Sequence, residues 1–65
     1  MRSSAQLLED YMTPAELAIE LDLALQTLAH WRSQKKGPPY VKVGQQILYS
    51  RDGVRRWLAR QTKQA

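Results

Sequence analysis

The chain contains no cysteine and a single histidine, His30. Without thiols, neither a disulfide nor a thiolate-held metal can staple it, and a reducing cytoplasm is the compartment that fits. One histidine among scattered acids leaves no nucleophile–base pair and no second metal ligand, and no glycine-rich phosphate loop follows a strand pattern. We therefore expect no enzymatic activity, no cofactor and no bound metal. Long apolar runs are missing too: nothing approaches the ~20 residues that a membrane-spanning helix needs. The start, Met1-Arg2-Ser3-Ser4, leads only to Leu7-Leu8 before Glu9-Asp10, too short an apolar stretch for a secretion signal. The expected location is cytoplasmic.

Charge of one sign is scarce in each half. Residues 1–29 hold five acids (Glu9, Asp10, Glu16, Glu20, Asp22) and one base, Arg2. Residues 30–65 hold nine bases (Arg32, Lys35, Lys36, Lys42, Arg51, Arg55, Arg56, Arg60, Lys63) and one acid, Asp52. A net of −4 in one part and +8 in the other gives the overall +4. The basic part also carries helix, turn and strand patterns, so its charge is expected on a folded face. A positive face of that kind suits a polyanion, and double-stranded DNA is the expected partner.

At 65 residues the chain makes one domain near the lower size limit for folding unaided, and such a domain buries only ~60% of the surface its unfolded chain exposes. Leu, Val and Ile must supply the core, together with the rings of Trp31, Trp57, Tyr40 and Tyr49. The two tryptophans are expected inside, because a small core cannot spare rings that large.

Thr13-Pro14-Ala15-Glu16 signals a helix start. Thr13 and Glu16 can bond reciprocally as a capping box, proline suits the first helical position, and Met12 can pack on Leu17 as a staple. Leu17, Ala18 and Leu21 then share one face of a two-turn helix ending near Leu21. Asp22-Leu23-Ala24 reads as a tight turn into a second helix that runs to about Ser33, with Leu28 and Trp31 on one side. Gly37-Pro38-Pro39 cannot continue it. Tyr40-Val41-Lys42-Val43 alternates as a strand, with Tyr40 and Lys42 on one face and Val41 and Val43 on the other. Gly44-Gln45-Gln46 turns, and Ile47-Leu48-Tyr49 returns. Ser50 is placed to cap a third helix from Arg51, with Val54, Trp57 and Leu58 on its apolar face. The expected fold is mainly α with a β-hairpin wing, in the order α-α-β-β-α. Residues 11–60 form the domain, after a flexible or partly helical extension (1–10) and before a frayed tail (61–65).

Met12-Thr13-Pro14-Ala15-Glu16-Leu17-Ala18, Leu21 to Trp31, Gly37-Pro38-Pro39-Tyr40-Val41-Lys42-Val43-Gly44, Tyr49-Ser50-Arg51-Asp52 and Trp57-Leu58 occur in that order. The series resembles the small winged helix-turn-helix family of phage excisionases and AlpA-like prophage regulators, distantly similar to the DNA-binding part of MerR-type proteins. The resemblance implies a second helix that reads the major groove and a hairpin that touches backbone or minor groove. It also implies one of two roles in a bacterial host cell. One is an excisionase that binds repeated sites beside an attachment site and directs a phage integrase towards excision. The other is a transcriptional regulator at an operator. In three places the chain departs from the family's habit: Ala24 stands where a capping Ser or Thr is common, Leu25 and Gln26 where bases are frequent, and Gln45-Gln46 in a turn that is often basic.

Within that geometry Gln26 suits a bidentate contact to adenine and Thr27 a thymine methyl or a phosphate; the plainer alternatives are a solvated Gln26 and a partly packed Thr27. His30, on the same face as Gln26, suits a phosphate or plain solvation. Leu25 is core edge or an apolar base contact. Phosphate contacts are expected at Arg32, Lys35, Lys36 and Arg51, and at Lys42 on the outward face of the wing strand, with Gln45 and Gln46 at the wing tip. Arg55, Arg56 and Arg60 belong to a helix that backs the core away from the groove. Free chains are expected to be monomers that associate cooperatively, head to tail, on repeated sites.

Overall fold

A computed structural model describes residues 9–61. The elements are β1 (Tyr11–Met12), α1 (Pro14–Leu21), α2 (Leu25–Ser33), β2 (Val41–Val43), β3 (Gln46–Ser50) and α3 (Arg51–Gln61). This is a winged helix-turn-helix, with one strand more than the sequence pattern indicates. β1 pairs antiparallel with β3, Tyr11 opposite Ser50 and Met12 opposite Tyr49, and the sheet order is β1-β3-β2. Two residues are too few to show an alternating pattern, so β1 left no signal of its own. The remainder of the expected N-terminal extension and the C-terminal tail past Gln61 lie outside the described residues.

Local chemistry sets the boundaries of α1. The Thr13 hydroxyl accepts from the Glu16 N–H at 3.1 Å, and the Glu16 carboxylate accepts from the Thr13 N–H at 3.0 Å, which completes the capping box. Pro14 opens the helix, where its missing N–H costs nothing. At the other end Asp22 adopts a left-handed φ of 58°. That turn lets the Leu23 N–H donate to the Ala18 carbonyl at 2.8 Å and the Asp22 N–H to Ile19 at 3.2 Å, the paired bonds of a Schellman stop.

The stop of α2 is built the same way, and the helix ends at Ser33 as the sequence pattern indicates. Lys35 takes φ 57°, its N–H donates to the Arg32 carbonyl at 3.1 Å, and the Lys36 N–H reaches Trp31 at 2.9 Å. Gly37 (φ 90°) comes two residues later, and its role is close approach: a Cβ there would lie 2.8 Å from Trp31 Cε3. Ser50 caps α3 as expected, its hydroxyl accepting from the Gly53 N–H at 2.8 Å. A Cβ on Gly53 would press on that hydroxyl at 2.8 Å and on Pro39 Cγ at 3.0 Å, so the start of α3 and the proline loop meet through a missing side chain.

Met12, Leu17, Ala18, Leu28, Tyr49 and Val54 form the buried cluster, with Leu21, Leu23, Trp31 and Ile47 packed on its edge. Three expected core rings sit differently. Trp31 and Trp57 are half-buried and meet at a tilt of 50° with centroids 5.6 Å apart, bridging α2 and α3 at the rim. Tyr40 is exposed and leans on Tyr49 at 6.0 Å. A domain this small has too few neighbours to enclose every ring, so each buries one side against another aromatic.

The wing has a tighter turn than expected. Val43 pairs with Gln46, leaving Gly44-Gln45 as a two-residue turn, and Gln46 belongs to the strand. Gly44 takes φ 63° with open space around it, the position at which a type II′ turn takes glycine.

Candidate nucleic-acid interface

α2 exposes Leu25, Gln26, Ala29, His30 and Ser33 and turns Leu28 fully inwards, with Thr27, Trp31 and Arg32 half-buried between. The exposed residues recur at helical spacing and so make one continuous face. Gln26 and His30 lie one turn apart on it, as the sequence spacing requires, and with Thr27 and Ala29 they line a shallow open depression. Ser33 donates its hydroxyl to the His30 carbonyl at 2.9 Å, which folds the side chain back on the helix. Ala29 and Ser33 were not among the sequence candidates. The signal that finds them is the i, i+3, i+4, i+7 series Gln26, Ala29, His30, Ser33.

The start of α2 is bare. Ala24 holds an extended N-cap conformation and offers no side-chain acceptor, so its carbonyl takes the Thr27 N–H at 3.0 Å while the first turn keeps donors facing outward. Such donors, at the positive end of the helix dipole, favour an anion over a cation.

The expected phosphate-contacting bases are placed in three different ways. Lys35 and Lys36 are exposed in the corner that follows α2, where the left-handed turn at Lys35 sets the chain direction. Arg32, by contrast, is partly committed to the fold: its Nη1 donates to the Tyr49 hydroxyl at 2.8 Å, and its guanidinium lies 5.9 Å from the Tyr40 ring centre. No local pattern announces a bond between residues 17 apart in sequence. Arg51 ties the two residues before β1 to the start of α3. Its backbone N–H donates to the Asp10 carbonyl at 2.8 Å and its Nε to the Glu9 carbonyl at 3.3 Å.

Lys42 requires a correction. Opposite it in the ladder stands Ile47, two residues from Tyr49, so Lys42 lies on the face that β3 turns to the core, and not on the outward one. It is nonetheless exposed. Val41 and Val43 occupy the other face and are 44% and 57% exposed, although Leu48, opposite Val41, is buried. Gln45 and Gln46 are exposed at its tip. Arg51 follows the far end of β3, about 17 Å from Gln46 at the usual rise per strand residue, so Arg51 and the wing tip occupy opposite ends of one strand.

On α3, Arg56 forms an exposed ion pair with Asp52 one turn earlier, and Arg55 and Arg60 are exposed. Exposed pairs of this type contribute little to stability. Among the described residues no helix is long and apolar enough to cross a membrane.

Comparisons with curated proteins and with solved structures return no match. A family model described as a helix-turn-helix domain matches residues 11–62. The match spans both helices, the wing and α3, and it implies DNA binding: the chain belongs to the helix-turn-helix domain family.

Proposed function

We propose that this protein binds double-stranded DNA at specific sites, without catalysis, as an excisionase-type architectural factor. In this reading it acts in the cytoplasm of a bacterial host and steers a phage integrase towards excision. The supporting observation is the exposed face of α2, which carries Gln26 and His30 and is followed at once by Lys35 and Lys36. In helix-turn-helix proteins the second helix enters the major groove, so that face meets base edges while the lysines meet phosphates. The wing, with Lys42 and the Gln45-Gln46 tip, then lies along backbone or minor groove.

Assembly on repeated sites follows from the uneven charge. Glu20 and Ile19 are exposed side by side on α1, Ile19 to 80%, and they offer an acidic and apolar patch to the basic part of a neighbour. Head-to-tail contacts of this kind do not close on themselves and build a row along the duplex. Glu20 is the clean position at which to test the contact, because the Glu16 carboxylate is already bonded in the capping box.

Footprinting and circular-permutation gels on DNA flanking the gene are the test. Direct repeats, cooperative filling and a bend support the excisionase reading. An inverted repeat across a promoter, filled without a bend, replaces it with the operator-binding regulator. An affinity that does not fall with salt overturns DNA binding itself, since neutralising about four to six phosphates gives a log–log slope of roughly −4 to −5.

A further inference from the structure

We propose that α2 reads thymine methyl groups, with Leu25 and Ala29 as the reading surface, so that the preferred sites are built on T·A steps. This rests on the DNA-binding reading above and names the chemistry of the sites it selects. The first observation is Leu25, which opens α2 and is 52% exposed, while Leu23 on one side and Leu28 on the other fill the core edge and the core. Ala29 follows one turn later, also exposed, so the two make an apolar strip along one margin of the face. Gln26 and His30 run alongside it.

The second observation is what stands in place of charge. The commonest specific contact in the major groove is an Arg or Lys bidentate to guanine O6 and N7. Within α2 the one such residue is Arg32, which is half-buried on the core side with Nη1 held by the Tyr49 hydroxyl. The exposed face instead offers a carboxamide, an imidazole, a leucine and an alanine. The carboxamide of Gln26 matches adenine N6 and N7, and an apolar side chain matches the C5-methyl that distinguishes thymine. Adenine and thymine share one base pair, so a glutamine beside an apolar strip fits both halves of the same step. Positive charge is supplied from outside the helix by Lys35 and Lys36 in the corner and Lys42 in the wing, which hold phosphates without reading sequence.

The test starts from a duplex selected by the protein out of a random-sequence library. Thymines in that duplex are replaced singly by uracil, which lacks the C5-methyl and keeps the pairing edge. Burial of one methyl is worth about fourfold in affinity, so each contacted thymine should lose about that factor, and two together about sixteenfold. Leu25→Ala should bring the thymine and uracil duplexes to equal affinity at one step. Its thermal melt should stay near that of the parent, since the leucine is half-exposed and alanine favours helix. Lys42→Ala should weaken both duplexes equally and leave their ratio unchanged. Equal binding of thymine and uracil duplexes by the parent protein overturns the inference while leaving DNA binding intact. So does full discrimination by Leu25→Ala, or a selected site whose protected steps are all G·C. Failure to bind any duplex in a salt-dependent way overturns the functional reading along with it.

Discussion

α1 and α2 are almost equal in length, eight and nine residues, and lie next to each other in space, yet their termini and faces differ. α1 starts with a reciprocal capping box and a proline, and it places Leu17 and Ala18 in the core. α2 starts at an uncapped alanine, buries Leu28 alone, and leaves a face of mixed apolar and polar groups in solvent. A helix that serves only the fold can satisfy its own donors and bury its apolar face. A helix that must meet another molecule keeps donors and side chains unspent, and its own stability falls accordingly. What α2 lacks at its start it recovers elsewhere, through the Schellman stop at Lys35, the contact between Trp31 and Trp57, and the bond from Arg32 to Tyr49.

The largest effect that could break this comparison lies in the core. Leu17 of α1 and Leu28 of α2 are both fully buried. Truncating either to alanine should cost about 2–5 kcal/mol, and a core this small rarely supplies more than ~3–5 kcal/mol. Both variants should lose their helical far-ultraviolet circular dichroism near room temperature. If Leu28→Ala melts like the parent, α2 is not anchored as described.

A smaller pair of substitutions separates the two helices by their readout. Gln26→Ala should cost ~1–3 kcal/mol in affinity for the preferred site if the adenine contact is bidentate, with no change in melting. Thr13→Ala should do the reverse, lowering stability by ~1 kcal/mol through loss of the cap while the folded protein binds as before. Titrations and melts on the two variants should therefore be mirror images, and identical behaviour would show that the helices do not divide the work.

Arg32 probes the link between reading helix and core. Tyr49→Phe removes the acceptor of its Nη1 and should cost ~1 kcal/mol. Adding Arg32→Ala in that background should cost less stability than Arg32→Ala alone, the non-additivity expected of bonded partners. The smallest effect is a gain. Ala24→Ser supplies the missing cap of α2 and should raise stability by ~0.5–1 kcal/mol, seen as a higher melting midpoint. A drop in stability there would mean that the bare start of α2 is already satisfied within the fold.

Features whose partners lie within a few residues were readable from the chain alone. The capping box needs Thr13 and Glu16 three apart, the turn needs Gly44, and the cap of α3 needs Ser50 just before Arg51. Each acts through a local hydrogen bond or a backbone preference. Misreadings arose where the outcome depends on distant neighbours. The end of α2 at Ser33 was legible, but the means was not: a left-handed turn at Lys35 with two backbone bonds makes the stop, ahead of Gly37 and the prolines. Lys42 was placed on the wrong face because strand alternation separates two faces without saying which of them meets the core. Among the candidate site residues, helical spacing was enough to join Gln26 and His30, whereas Arg32 and Arg51 acquired structural partners that no spacing rule predicts.

The sequence by itself determined the order of the three helices and the hairpin, the limits of α1, the glycine turn of the wing and the split of charge between acidic and basic parts, because those follow from short-range bonding and composition. Tertiary structure alone decided three things. It added β1 to the sheet, it drew Arg32 inwards to Tyr49, and it left Leu25 and Ala29 exposed beside Gln26. The physical reason is the same for all three: burial and long-range hydrogen bonds depend on which surfaces meet, and in a chain of 65 residues a few such meetings settle which side chains remain available to a partner.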